Sequence, residues 1–241
     1  MNVLKVKNYD EMSEKACSIL LDKINSVPHP VLGLATGSTP EGLYKKLIEE
    51  YRSGEVSFKD TTTFNLDEYI GLSMDHPNSY HHYMKDHLFQ HIDIDMEKAH
   101  VPNGDVTDVQ SECKDYEKII HENGNIDIQI LGIGTNGHIG FNEPGTPFTS
   151  RTHIVNLAES TRQANARFFG SIEDVPTRAI TMGIETIRES KEIIVLVSGE
   201  KKAEALSRFI NGDVSESFPA SILQKHNNVT IVADEAALSK L

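Results

Sequence analysis

The 241 residues contain no tryptophan and only two cysteines, Cys17 and Cys113. These are far apart in sequence and neither belongs to a CxxC pair, so no disulfide framework is indicated. They read as buried thiols of a cytoplasmic protein. Cations are also scarce: 23 Lys and Arg stand against 36 Asp and Glu, a formal charge of −13. A nucleic-acid partner needs a basic face and is therefore not expected. A small anion stays open, because a few focused cations and backbone N–H groups can hold a phosphate inside an acidic protein. Long apolar runs are missing as well. A run such as 193–197 falls far short of the about 20 residues of a membrane helix. The first twelve residues mix polar and apolar side chains without a signal-peptide core.

What the chain does have is alternation. Short apolar, β-branched runs at 31–35, 61–66, 126–133, 193–197 and 229–233 read as strands buried on both faces. Between them, Met12, Ala16, Ile19, Leu20, Ile24 and Val27 recur at helical spacing. So do Tyr80, Tyr83, Met84, Leu88 and Ile92, and later Ala203, Leu206, Phe209 and Ile210. This pattern predicts one α/β domain over residues 1–241, with a mostly parallel central sheet and helices on both faces. Residues 145–178 are less regular and read as a lid. In a parallel sheet the loops leaving the strands' C-terminal ends open on one edge, where ligands bind. Here those loops are 36–40, 67–69, 134–145 and 198–202, and nearly all the unusual chemistry of the chain falls in them.

The first loop, Thr36-Gly37-Ser38-Thr39-Pro40, has a turn glycine and hydroxyl donors. Thr39 is expected to cap a helix with Pro40 at its first position, leaving free N–H groups suited to a phosphate. It lacks the Gly-Lys-Ser/Thr ending of a Walker A loop. The second loop places Asp67 and Glu68 just past a buried strand. A partly desolvated carboxylate there can serve as a general base. Asp67, nearer the strand end, is the better candidate, and Glu68 reads as a capping or orienting group. The third contains Gly132-Ile133-Gly134-Thr135-Asn136-Gly137, a literal GxGxxG. The continuation through His138, Gly140, Asn142, Glu143, Pro144 and Gly145 is a poor helix, so dinucleotide binding is not indicated. His138 with Glu143 has the makings of a carboxylate-oriented acid–base.

Residues 161–169 read as an amphipathic helix carrying Arg162 and Arg167, whose planar forks suit phosphate. At the fourth loop, either Lys201 or Lys202 can face the site. Six of the eleven histidines fall between His76 and His100. His87 and His91 are four apart, but no HExxH and no third ligand accompany them, so no metal is expected.

Taken in order, LGLATGSTPEGLY, TFNLDEYIGL, GIGTNGHIGFNEPG, SRT, TRQANARFF and SGEKKAEAL closely resemble the glucosamine-6-phosphate deaminases, also called glucosamine-6-phosphate isomerases. The resemblance runs from near the N-terminus to about residue 235. It implies a Rossmann-like fold of the sugar-phosphate isomerase type. The implied reaction converts D-glucosamine 6-phosphate and water into D-fructose 6-phosphate and ammonia, without metal, nucleotide or redox cofactor.

Carried over by motif, Asp67 is the enolisation base, His138 the ring-opening histidine and Glu143 its carboxylate partner. Asn136 stands where many members have Asp and others Asn. The implied phosphate ligands are Ser38 with the Gly37 and Thr39 backbone, Arg167, and Lys202 rather than Lys201. Hexameric members bind the activator N-acetylglucosamine 6-phosphate through basic residues where this chain has His153 and Val155, and through a longer C-terminus. The resemblance therefore implies a non-allosteric monomer or small oligomer. Two other readings are a 6-phosphogluconolactonase-like enzyme, which would release no ammonia, and a non-catalytic sugar-phosphate sensor.

Overall fold

The five apolar runs all form strands, and their continuous apolarity reflects burial on both faces. The computed structural model describes the backbone of residues 1–241 and every side chain except those at 160, 164 and 168. In chain order the elements are β1 (Asn2–Val6), α1 (Tyr9–Ser26), β2 (Val31–Leu34), α2 (Glu41–Ser53), β3 (Thr62–Asn65), β4 (Asp67–Tyr69), α3 (Tyr80–His87), β5 (Ala99–His100) and α4 (Val109–Glu122). They continue with β6 (Ile128–Gly132), β7 (His153–Asn156), α5 (Glu159–Phe169), β8 (Arg178–Thr181), α6 (Ile184–Arg188), β9 (Ile193–Val197), α7 (Ala203–Asn211) and β10 (Val229–Asp234).

Seven strands make one sheet in the order β1-β10-β9-β6-β2-β3-β5, and every pairing in it is parallel. The strand period of two divides each buried run between two cores. Ile193, Val195 and Val197 of β9 pack with α4, α6 and α7, where Ile120, Ile187 and Phe209 lie. Ile194 and Leu196 of the same strand face α1 and α2, against Leu20 and Leu47. Helices thus cover both faces, as the alternation predicts.

Three local expectations need correction. Residues 67–69 are not a loop but β4, which joins β8 and β7 in a separate antiparallel sheet. The switch occurs at Leu66: its N–H donates to Leu34 O at 3.2 Å, while its carbonyl accepts from Met182 N at 2.6 Å. One peptide thus belongs to the parallel ladder and the next to the second sheet. The helix starting at Tyr80 ends at His87, because Leu88 leaves helical dihedrals and a short 3-10 turn follows at Phe89–His91. His87 Nδ1 and His91 Nε2 bond the carbonyls of Tyr83 and Asp86. Finally, α2 starts at Glu41 with Pro40 as its N-cap, and Thr39 makes no capping bond. Residues 145–178 contain β7 and α5.

Candidate active site

At the C-terminal edge of the parallel sheet lies a cavity of about 750 Å³. Its walls include Ala35–Thr39 after β2, Asp67 on β4, Gly132–Asn136 and His138 after β6, Arg167 on α5, and Lys201 and Lys202 before α7. Five separate sequence regions therefore converge on one space, and eight of the nine expected site residues line it. The ninth, Glu143, stands one hydrogen bond behind them, on Asn136.

Asp67 and Glu68 are adjacent on a strand, so their side chains leave opposite faces. Asp67 borders the cavity. Glu68, almost fully buried, turns the other way and accepts from the amides of Tyr80 and His81 at 2.9 and 3.0 Å, capping α3. His81 Nδ1 adds a further contact to the same carboxyl at 3.0 Å. Burial pushes the Asp67 carboxyl up to about 8, and the neighbouring Glu68 charge pushes it the same way. It stands ready to bind a proton, a requirement for a carbon base.

His138 lies flat on the backbone of Gly134: a Cβ on that glycine would fall 2.3 Å from the ring. Only glycine permits this approach. The ring's Nδ1 is 2.7 Å from Asn136 Oδ1, and Asn136 Nδ2 is 2.8 Å from Glu143 Oε2. A carboxylate only accepts, so Asn136 must turn its NH2 to Glu143 and its carbonyl to the ring. Nδ1 therefore carries the hydrogen, and Nε2 keeps the lone pair. Glu143 Oε1 accepts from Thr161 Oγ1 on α5 at 2.5 Å, which fixes the carboxylate plane. Burial holds the imidazole below its ordinary pKa. Glu143 pulls it up, and the Lys202 charge adds to the lowering. The result is a neutral ring with a defined tautomer.

The anion-binding candidates separate in the same way. Arg162 is committed to the carbonyls of Ile172 and Val175 at 2.7 and 3.1 Å, whereas Arg167 lines the cavity. Lys201 is exposed. Lys202 is half-buried and donates one hydrogen to Ile133 O at 2.8 Å, leaving two more to offer. Burial lowers its pKa. The turn before it is pinned by Asp234, which accepts from Ser198 Oγ and Gly199 N. Among the described residues no group of three metal-ligating side chains comes together, and no helix is long and apolar enough to cross a membrane.

Sequence reasoning missed several cavity residues: Thr36, Tyr80, Thr135, Phe141, Thr161 and Asn165. Tyr80 and Phe141 stack at 6.2 Å and Tyr69 packs on both, forming an aromatic wall beside Asp67. Tyr80 sits at the start of α3, far from any strand end, where the topology rule does not look.

Residues 7–232 match the family described as glucosamine-6-phosphate isomerases/6-phosphogluconolactonase. A Shouchella clausii protein named glucosamine-6-phosphate deaminase is 57% identical over 239 residues, which span 99% of this chain and 97% of that one. Glucosamine-6-phosphate deaminase 1 of Bacillus subtilis is 54% identical over 239 residues, 99% of each chain. A solved structure of a monomeric glucosamine-6-phosphate deaminase superposes with a TM-score of 0.98 at 53% identity, covering 100% of both chains. A 6-phosphogluconolactonase from Trypanosoma brucei has a TM-score of 0.81 at 17% identity over 100% of this chain and 98% of that one, a likeness of fold alone.

Proposed function

The chain belongs to the glucosamine-6-phosphate isomerase/6-phosphogluconolactonase family, and we propose from this premise that it converts D-glucosamine 6-phosphate and water into D-fructose 6-phosphate and ammonia. Full-length relatives at 53 to 57% identity carry the deaminase name. The observation that carries the mechanism is one cavity lined by the raised Asp67 carboxyl, by His138 with its tautomer set by Asn136, and by Arg167, Lys202 and the 36–39 loop.

The sugar enters as a closed ring. His138 Nε2 takes the O1 proton and gives a proton to O5, which opens the ring to the aldehyde. The C2 hydrogen is then acidified by the C1 carbonyl. Asp67 takes it while the C2 nitrogen gives up one proton and O1 gains one, forming the enolamine. Asp67 then returns its proton to C1 as the nitrogen lone pair closes the C=N bond, leaving an iminium at C2 and a hydroxyl at C1. Water adds to that iminium, and ammonia leaves as the C2 ketone forms. A carboxyl with a pKa of about 8 is mostly neutral at pH 7 in the empty site. The substrate's own C2 ammonium, arriving beside it, restores the carboxylate by charge pairing. An amino sugar therefore activates its own base, which a lactone would not do. Ser38, the Gly37 and Thr39 backbone, Arg167 and Lys202 would hold the phosphate, anchoring the sugar away from its reacting carbons.

The test is direct. One ammonia should appear for each fructose 6-phosphate formed, and 6-phosphogluconolactone should not be hydrolysed. Lactone hydrolysis without ammonia release would overturn the proposal in favour of the lactonase reading. Binding without turnover would favour a sensor. For the phosphate subsite, Arg167→Ala should raise KM about 10- to 100-fold, the scale of a lost charge-assisted pair. Equal use of glucosamine and its 6-phosphate by the wild-type protein would refute the subsite.

We read residues 145–178 as a lid and the protein as a monomer or small oligomer acting in cytoplasmic amino-sugar breakdown. The free, buried thiols of Cys17 and Cys113 fit a reducing compartment. Kinetics should be hyperbolic and indifferent to N-acetylglucosamine 6-phosphate. Beside His153, Arg151 is already paired with Glu189 in a bidentate bridge and lies 3.6 Å from Glu117. His153 Nδ1 is taken up by Arg151 O. Initial rates with and without that compound, with light scattering for mass, check this: sigmoidal kinetics relieved by it, or a hexamer, would contradict the reading.

A further inference from the structure

The loop after β2 is held from behind by three tyrosines, each on a different helix. The Tyr44 hydroxyl on α2 donates to Ala35 O. The Tyr83 hydroxyl on α3 donates to Gly37 O at 2.7 Å. The Tyr9 hydroxyl on α1 donates to Ser38 O at 2.9 Å and accepts from Gly42 N at 2.8 Å, tying the loop to the first turn of α2. Three of the loop's carbonyls are thus occupied. Among the described residues, no amide from Thr36 to Thr39 donates a backbone hydrogen bond.

That asymmetry has a geometric consequence. In a planar trans peptide the C=O of one residue and the N–H of the next point in opposite directions. Fixing the Ala35, Gly37 and Ser38 carbonyls therefore fixes the Thr36, Ser38 and Thr39 amides, facing the other way. Ala35, Thr36, Gly37, Ser38 and Thr39 all border the cavity. A loop without these anchors could rotate a peptide and present a carbonyl, which repels an anion where an amide attracts it. Gly37, at φ 85°, is where such a rotation would be easiest.

We propose that Tyr9 and Tyr83 are positioning residues for the substrate's phosphate, holding the Thr39 and Ser38 amides toward it through the carbonyls they bind. The inference rests on the phosphate reading of this loop. Neither hydroxyl needs to touch the sugar. Tyr83 lies 46 residues from its carbonyl and Tyr9 lies 29 away, so the anchors come from α1 and α3 rather than from the loop motif. Tyr44, with no exposed surface, also serves the core between α1 and α2 and makes a poorer probe.

Tyr83→Phe and Tyr9→Phe delete one hydroxyl each and keep the ring. Each should raise KM for glucosamine 6-phosphate, and the inhibition constant of inorganic phosphate, about fivefold to tenfold. kcat should change less than twofold and its pH profile should not move, because the acid–base groups are elsewhere. Thermal melting and circular dichroism report whether each variant is folded. Folded variants with unchanged KM and unchanged phosphate inhibition would overturn the positioning role. A fall in kcat and melting temperature with KM unchanged would overturn it too, leaving a purely structural role. Arg167→Ala separates the two levels. If it raises KM and the tyrosine variants do not, only the positioning role fails. If all three leave KM and phosphate inhibition unchanged, the phosphate reading fails with it.

Discussion

Asp67→Asn is expected to bind glucosamine 6-phosphate and to lose nearly all turnover, at least about a thousandfold in kcat. The amide is the same size but cannot take a proton from carbon. KM should change far less than kcat, since the phosphate contacts are elsewhere in the cavity. The same substitution should stabilise the folded protein. Burial pushes the Asp67 carboxyl from an ordinary 3.8 up to about 8, so between those values the folded state holds a proton that the unfolded state has lost. Stability from this group is complete below about pH 4 and is lost as pH rises toward 8. An amide has no such loss. The melting temperature of Asp67→Asn should therefore exceed that of the wild type at pH 8, with the gap closing toward pH 4. Melting curves of the two proteins across that range, run beside steady-state kinetics, check both halves. Equal melting at pH 8 would mean that the carboxylate is better solvated than its burial implies.

The next largest effects concern His138. His138→Gln should lower kcat about 10²- to 10⁴-fold, the usual worth of a general acid–base group. Asn136→Asp is the more informative change. The new carboxylate faces the ring where a neutral carbonyl stood, so it stabilises the imidazolium and raises the apparent pKa of His138. The neutral ring is the active base, so the acidic limb of kcat should move to higher pH. kcat is the right parameter, because in the bound complex Asp67 is already ionised by the substrate's ammonium. The exchange also brings two carboxylates together, since Asn136 Nδ2 now donates to Glu143. Some loss of rate at every pH is expected from that repulsion. An unmoved acidic limb would show that Asn136 is not coupled to the ring.

These effects trace to features legible in the sequence to different degrees. The strand runs were visible because burial on both faces removes polar residues from them. Which of Ile193 and Ile194 faces which helices was not, since both are apolar and the alternation carries no contrast. The second sheet was hidden for the opposite reason. β4 has three residues and follows β3 after Leu66 alone, while β7 is only partly buried and β8 begins with an exposed arginine. The separate roles of Asp67 and Glu68 were legible from their distance to the strand end, and their place on β4 gives the physical reason: neighbours on a strand must face opposite ways.

The cavity itself was legible from topology, because parallel strands bring their trailing loops to one edge. The Asn136 relay was nearly legible, for its members lie within eight residues. The tyrosine anchors were not, because a hydroxyl on α1 or α3 finds its carbonyl only once the helices are packed. Thr161 escaped for the same reason: it reaches Glu143 across 18 residues.

The most direct test follows the hydrogen at C2. Glucosamine 6-phosphate carrying deuterium at that carbon is given to the wild-type protein and to Asp67→Asn, and ammonia and C2 deuterium are followed together. With Asp67 as the carbon base, the wild type should lose one deuterium from C2 for each ammonia released, and the variant should show neither loss nor release. Ammonia released with the C2 deuterium retained, or deuterium lost at an undiminished rate from Asp67→Asn, would contradict it.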